Sequence, residues 1–477
     1  MTRGLMRSAP SLLVLGLLTG CISLDPDYQR PAAPVPAAWP KGEAYAAPAA
    51  GVPVAANVAA EKGAAETGWQ DFFVDADLRA VVGQALDNNR DLRVAVQNVL
   101  AARAKYQVQD AARLPTVDAT GSAGYSRTGA GGTRRETKSL SAGIGVSAFE
   151  ADLFGRVASL TRAELETYLA QEETARATRI SLISEVATAY ITYAADKSLL
   201  RIAQTTMESA QRSAEVTRKR LTNGVATRLD AAEADTVYQT ARANVASYTT
   251  QVAQDLNALE ILTGAPVDPA RLPDGIEGRV FTLAALPAGM STDVLLNRPD
   301  VLSAEHSLKA ANANIGAARA AFFPTVSLTT AAGFASSAFG NLFQARSQSL
   351  SFTPSVSVPI FDNGANQANL DYAKATQQAA VATYEKTIQT AFREVADALA
   401  RRGTIAEQLD AQQATVRSAQ TSYDLSQARY AQGADSYLNA LDAQRTLYSA
   451  QQTLVSVRLT DASNLVTLYQ VLGGGIK

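Results

Sequence analysis

The sequence predicts a mixed α and membrane-β chain, built as two tandem copies of one unit: a strand pair, a long helix and a shorter helix. Three observations predict it. Landmarks recur at a single offset, two very long stretches are almost free of helix breakers, and four runs alternate apolar with small polar residues.

The chain has 477 residues, with 43 basic and 45 acidic side chains and a formal charge of −2. No basic excess is present to neutralise phosphates, so nucleic acid is not an expected partner. Apolar residues make up 47%, much of that alanine, and aromatics only 6%. Such a composition suits long helices packed closely through small side chains.

Residues 1–20 read as a signal peptide. Arg3 and Arg7 precede an apolar run at 11–18 that is too short to span a bilayer. Leu18-Thr19-Gly20-Cys21 then resembles the lipobox of bacterial lipoproteins, which implies a diacylglycerol on the Cys21 thiol and an N-palmitoyl group on its amine. Cys21 is the only cysteine, so no intrachain disulfide forms. Ile22 rather than Asp follows it, which favours the outer over the inner membrane. Residues 21–70 are rich in Pro, Ala and Gly; they are expected to lie extended along the body, with a disordered tether as the competing assignment.

The repeat follows from four landmarks. Leu114-Pro115-Thr116-Val117 matches Phe323-Pro324-Thr325-Val326, and Arg220 to Gly224 matches Arg429 to Gly433. Leu262-Thr263-Gly264 matches Val471-Leu472-Gly473, and Asp91 matches Asp300. Every pair is 209 residues apart (324 less 115, 433 less 224, 473 less 264, 300 less 91). The first repeat is placed at 71–264 and the second at 292–473, with a proline-rich linker at 265–291 and a tail at 474–477.

Within each repeat a first helix stops before a proline, near 113 and 323. The long helices are expected at about 156–221 and 365–430, the second interrupted at Gly403, and each would be ~100 Å long. Breaks at Gly224 and Gly433 precede shorter helices at about 227–263 and 436–472. Tyr384, Ile388, Ala391, Val395 and Ala398 alternate four and three, as do Met207, Ala210, Ala214, Thr217 and Leu221. These are coiled-coil periods, and a plain two-stranded coiled coil is the competing assignment.

The strands argue for more. They are placed at about 116–126, 139–148, 325–335 and 350–359. Leu140, Ala142, Ile144, Val146 and Ala148 share one face against Ser141, Gly143, Gly145 and Ser147. Val326, Leu328, Thr330, Ala332 and Phe334 do so in the third run, and Leu350, Phe352, Pro354, Val356 and Val358 in the fourth. Each is about 9–11 residues, the length of a tilted membrane strand. Loops are expected at 127–138 and 336–349, and Pro354 calls for a bulge or a strand at a subunit boundary. Four strands are too few to seal a barrel in lipid, so copies must share one. Hairpins half-buried on a soluble helical core remain the alternative.

These features resemble the outer membrane factor family, the TolC-like channels, and within it the NodT-type efflux lipoproteins. Besides the lipobox, the resemblance rests on Pro26-Asp27-Tyr28 and Trp69 with Phe72-Phe73. Leu86-Asp87-Asn88-Asn89, Asn297-Arg298-Pro299-Asp300 and Asp152-Leu153-Phe154-Gly155 add to it, with Pro359-Ile360-Phe361-Asp362 and Leu441-Asp442-Ala443-Gln444. It implies a homotrimer: a 12-stranded outer-membrane β-barrel continuous with a 12-helix periplasmic α-barrel. It also implies a periplasmic adaptor (membrane fusion) protein, an inner-membrane pump of the resistance-nodulation-division type and outer membrane lipids as partners. The function implied is passive export of drugs or other small molecules. A duct for type I protein secretion and a pore-free coiled-coil lipoprotein are the alternatives.

In the family, acidic side chains ring the narrowed end just after the glycine break. Matching by the glycine places Asp230 and Glu233 there in the first repeat, and Asn439 and Asp442 in the second. Where relatives carry Asp this chain has Asn439, so one carboxylate ring is missing or moved to Asp435; Tyr430 matches a residue that holds the closed state. Like charges repeated around an axis repel, raise one another's pKa and attract cations. Alternatively these acids cap the short helices or pair with Arg228, Arg429 or Arg445. His306, the only histidine, lies in a helical run and is expected to be structural. No metal cluster, nucleophile elbow or P-loop motif is present, so no enzymatic activity is expected.

Overall fold

The computed structural model describes residues 23–45, 67–130, 133–283 and 291–474. Cys21 and the signal peptide lie outside the described residues, as do the tail from 475 and most of the segment between 46 and 70. The helices are α1 (Trp69–Phe72), α2 (Ala76–Asn88) and α3 (Arg90–Ala111), then α4 (Arg156–Thr222) and α5 (Arg228–Thr263). In the second half come α6 (Pro299–Ala320), α7 (Ala365–Ala431) and α8 (Tyr437–Val471). The strands are β1 (Asp118–Ala130), β2 (Thr133–Ala151), β3 (Thr325–Ser336) and β4 (Gln348–Ser357). The long helices α4 and α7 are 67 residues each, and α7 runs unbroken through Gly403. One interior glycine costs about 1 kcal/mol, which a packed helix of this length absorbs.

The glycines that bound these helices, at their starts or their ends, repeat as well. Gly155, Gly224 and Gly264 have positive φ, and so do Gly364, Gly433 and Gly473, each 209 residues further on. Gly224 and Gly433 share a φ of 75°, a left-handed conformation that L side chains resist. There each long helix turns back within a few residues into α5 or α8.

The chain forms two compact units. The first comprises the described residues up to Ala32, with Asn98–Glu172 and Ser303–Tyr384. Its centre is an antiparallel sheet in the order β1-β2-β3-β4, so β1 and β4 have free edges. Paired residues fix the faces. Ile144, Ala332 and Leu350 lie in register on one, as do Val326 and Val356, while Ser327 and Ser355 meet on the other. The apolar face is open: Ile144 is 58% exposed, Phe352 69% and Leu350 83%.

Two expectations about the strands change. Residues 127–130 and 133–138, expected in a loop, are strand, because β1 and β2 stay paired from Asp118↔Gly145 out to Ala130↔Thr133. Their polar Thr, Arg and Glu side chains give no apolar alternation to read. The register of β2 also shifts between Val146 and Phe149, where Ala148 has φ 50°. The bulge takes Ala148 out of the alternation and returns Phe149 and Ala151 to the apolar face. Pro354 pairs in register with Leu328 on β4, an edge strand of this sheet, where proline is best tolerated.

The first unit also holds the N-terminal segment in extended form. The Asp25 carboxylate accepts from Arg162 Nε (2.7 Å), and Asn312 donates to the Pro26 carbonyl (2.7 Å). Tyr28 and Arg30 both donate to the buried Glu305 carboxylate, at 3.1 Å and 2.7 Å. His306 Nδ1 lies 2.6 Å from Glu166 Oε2, bridging α6 to α4.

The second unit comprises Ala33–Gln97, Glu173–Leu302 and Glu385–Lys477, described to 474. Its core gathers Phe72, Phe73, Val186, Tyr190, Ile191, Leu259, Val466 and Tyr469. Phe72 stacks on Tyr469 at 4.4 Å, and Tyr190 donates to the Arg271 carbonyl at 2.7 Å. Burying each such side chain contributes about 1.5–3 kcal/mol. The described part of the stretch read as a linker, residues 265–283, contributes to this core: Val267, Ile276 and Phe281 are buried in it. Its prolines rule out long elements but not packing. Ile388, Ala391, Val395 and Ala398 are also buried, so one side of α7 is apolar at alternating spacings of three and four.

Candidate channel constriction

The two glycine turns deliver the ends of α4 and α7 and the starts of α5 and α8. Ala214, Ala234, Tyr437 and Leu441 are buried together there, with Val237, Tyr238 and Tyr430 packed against them. The sequence explains the join. Alanine at 214 and 234 allows close approach, and two tyrosines fill the gap with rings 5.0 Å apart. Burial, and next the neighbouring Tyr430, pushes the Tyr437 hydroxyl up to about 12, so it stays protonated. The Arg220 guanidinium sits over the Tyr430 ring at 4.7 Å, an arrangement worth about 0.5–2 kcal/mol. Higher up, Ser209 and Tyr423 hydroxyls hydrogen-bond at 3.0 Å.

The five residues singled out from the sequence divide by what holds them. Asp230 completes a capping box: its Oδ2 accepts from Thr227 N and Oγ1, both at 2.8 Å, while Thr227 Oγ1 accepts from Asp230 N. Asp442 pairs with Arg445 one helical turn on, at 2.9 Å, both side chains about two-thirds exposed (68% and 69%). Asn439 Nδ2 donates to Asp435 Oδ1 at 2.6 Å. That bond, with the Ser436 N–H and Arg429, holds the Asp435 carboxyl below its usual range. Glu233 makes no hydrogen bond or ion pair among the described residues. Tyr430 stands in the aromatic cluster.

Asn439 and Asp442 also line an open groove of about 660 Å³ along α7 and α8, walled by Thr415, Ser418, Ser422 and Thr446. Sequence reasoning missed Arg218, which pairs with Asp235 at 2.6 Å across the turn, and the role of Arg220. Arg220 stood inside the repeated landmark and could have been noticed; nothing local marks the Arg218–Asp235 pair. Chemically the arrangement offers charged side chains on two tight helical turns.

A family model described as outer membrane efflux protein matches residues 81–265 and 290–474. The two matches begin 209 residues apart (290 less 81). The toluene efflux pump outer membrane protein TtgC of Pseudomonas putida is 47% identical over 482 residues, covering 100% of this chain and 96% of the relative. The cation efflux system protein CusC of Escherichia coli O157:H7 is 41% identical over 460 residues, covering 96% of each. A crystal structure of CusC superposes with a TM-score of 0.83, 41% identity, and coverage of 95% of this chain and 100% of that one. A membrane protein from Pseudomonas aeruginosa gives a TM-score of 0.85 at 39% identity, over 94% of this chain and 100% of that one.

Proposed function

Starting from the fact that this chain belongs to the outer membrane efflux protein family, we propose that three copies close one barrel and export small organic molecules through it. The protein is an outer-membrane channel of a tripartite efflux system. This is preferred over a secretion duct or a pore-free coiled-coil lipoprotein, since the relatives above are efflux proteins.

One observation carries the trimer: an open four-stranded sheet with free edges at β1 and β4 and an apolar face turned outward. In hydrocarbon each unpaired backbone group costs several kcal/mol, so the edges need partners. Three copies supply 12 strands, within the range of membrane barrels that begins at about eight. The four helices α4, α5, α7 and α8 of each copy would likewise make a 12-helix tunnel. The Gly224 and Gly433 turns would form its narrowed periplasmic end, where Glu233 supplies charge and the Arg220–Tyr430–Tyr437 cluster holds the closed form. Conduction is passive, with an adaptor and an inner-membrane pump of the resistance-nodulation-division type supplying substrate and energy. Cys21 would carry the acyl anchor.

Several relatives of 46–47% identity are named for toluene, solvent or antibiotic efflux, and CusC for cations. With four methionines and one histidine this chain offers few soft ligands, which favours organic cargo. The test has two parts. Light scattering of the purified protein in detergent is expected to give three chains per particle, and planar bilayers a pore; a monomer without conductance rejects the reading. Deleting the gene should sensitise cells to toluene and antibiotics and not to copper.

A further inference from the structure

We propose that the outer rim of the β1–β2 hairpin binds the phosphorylated glycolipid of the outer leaflet, with Arg127 and Lys138 as the phosphate-binding side chains. This rests on the reading that the apolar face of the sheet is turned to lipid.

The register defines the surface. Ser336 at the end of β3 pairs with Leu140, and no residue of β3 pairs with β2 beyond it, so the β1–β2 ladder runs on alone. Along β2, away from the helices, the apolar face carries Ala151, Phe149, Val146, Ile144, Ala142 and Leu140. The next places on that face are Lys138 opposite Tyr125, Glu136 opposite Arg127, and position 134 opposite Gly129. The change from apolar to charged takes one step.

Dimensions place that step. From Ala151 to Leu140, allowing for the bulge, is about ten residue steps, or ~33 Å of strand. At a tilt of ~40° this spans ~25 Å along the membrane normal, the height of a barrel's apolar band. Lys138 then stands ~5 Å and Arg127 ~10 Å above the band's upper edge, within or just above the headgroup layer. Tyr125, 60% exposed beside Lys138, is where an interfacial aromatic belongs.

Charge supports the assignment. All four basic residues of the strands, Arg127, Arg134, Arg135 and Lys138, lie beyond Leu140 with a single acid, Glu136, whereas the other two acids, Asp118 and Glu150, lie at the helical end. Glu136 compensates Arg127 only loosely, at 3.6 Å with both side chains 51% exposed. Lys138 forms no ion pair among the described residues. A ligand for this face must be anionic and must sit in the lipid layer itself, and a headgroup phosphate on a saccharide meets both conditions. Arg grips such a group through its fork and Lys as a point charge. Arg135, opposite Thr128, is a cation at the same height on the other face and serves as an internal control.

The test uses the full-length channel reconstituted in vesicles, then extracted and analysed by native mass spectrometry with diphosphorylated lipid A as probe. Insertion is scored first, by conductance. A wild type that fails to insert defeats the lipid-facing reading itself. Given insertion, the Arg127→Gln/Lys138→Gln variant is expected to retain at least tenfold less lipid A. Lys138→Arg and Arg135→Gln should retain it like wild type, and dephosphorylated lipid A should bind wild type no better than the double variant binds the phosphorylated form. Equal retention by the double variant, or an equal loss in Arg135→Gln, overturns the proposal. Displacement of the lipid by millimolar inorganic phosphate would reassign the site to free anions and overturn it too.

Discussion

The two halves make one contact with different chemistry. In the first, Asn89 Nδ2 donates to the Leu262 carbonyl at 2.9 Å; in the second, Arg298 Nη1 donates to the Val471 carbonyl at 2.7 Å. Donor and acceptor are each displaced by 209 residues (298 less 89, 471 less 262). Both halves also place two acids nearby, Asp91 with Glu185 and Asp300 with Glu394. Arg298 serves them as well, donating to Asp300 and Glu394 at 2.7 Å and 2.9 Å. Asn89 cannot, and the Glu185 carboxyl is pushed above its usual range, by burial and then by the Asp91 charge. Geometry is common to the halves and charge compensation is not. The backbone carbonyl at a helix end must be satisfied in both, whereas the acids can be tolerated where solvent reaches them.

The comparison breaks most visibly at Arg298. Arg298→Ala would leave a buried carbonyl unpaired and two acids facing each other. The expected loss is about 3 kcal/mol, at the low end for broken buried pairs because both acids are partly exposed. Asn89→Ala should lose about 1–2 kcal/mol, the value of one hydrogen bond and of its cap on Leu92 N. Urea unfolding followed by helical circular dichroism measures both. Equal losses would mean that the guanidinium does nothing for the acids.

The next effect comes from a second unequal pair. Asp196 and Asp255 in the first half occupy the places of Ile405 and Asn464 in the second (405 less 196, 464 less 255). Burial, then the hydrogen bond and charge of Asp255, push the Asp196 carboxyl up to about 7. An unfolded chain releases that proton near pH 4. Between about pH 4 and 7 the folded protein therefore holds a proton the unfolded chain has lost, and its stability falls as pH rises. Asp196→Asn removes this slope. At pH 7.5 the variant should be more stable by about 1–2 kcal/mol, less than full linkage because solvent screens the pair. At pH 4 the two proteins should coincide; a difference that persists there assigns the effect to packing.

How much of this was legible in the sequence depends on periodicity. The 209-residue offset and the alternation of Leu350, Phe352 and Val356 against serines are strong signals: α4 and α7 end within a residue or so of the breaks read from the sequence, whereas β2, expected at 139–148, runs from Thr133 to Ala151. The distal β1–β2 ladder carried no such signal, since polar residues fill both its faces. The bulge at Ala148 was equally silent, because the small Ser147 and Ala148 fit either face. At the turns, pairing of Asp442 with Arg445 was one of the competing assignments, and its i,i+3 spacing is a local signal. The pairs Arg218–Asp235 and Arg220–Tyr430 join elements separated by a turn or by two hundred residues, and only tertiary packing creates them.

The smallest expected effects lie at those turns, where the halves differ again. Asp230 uses its carboxylate as a reciprocal cap, while its counterpart Asn439 lends its amide to Asp435. Asp230→Asn should keep part of the cap and cost about 0.5–1 kcal/mol. Because Asp230 is occupied with Thr227 and Asp442 with Arg445, Glu233 would, on the proposed constriction, be the acid left to act on permeating ions. Glu233→Gln should then lower cation over anion permeability in planar bilayers by about twofold, as expected when one carboxylate ring is neutralised. Asp230→Asn should leave that ratio unchanged. Adding a charge by Asn439→Asp sharpens the contrast, since the new carboxylate would face Asp435 and should raise cation preference while weakening the start of α8. A ratio that follows Asp230 and ignores Glu233 would show that capping does not withdraw a carboxylate from the pore.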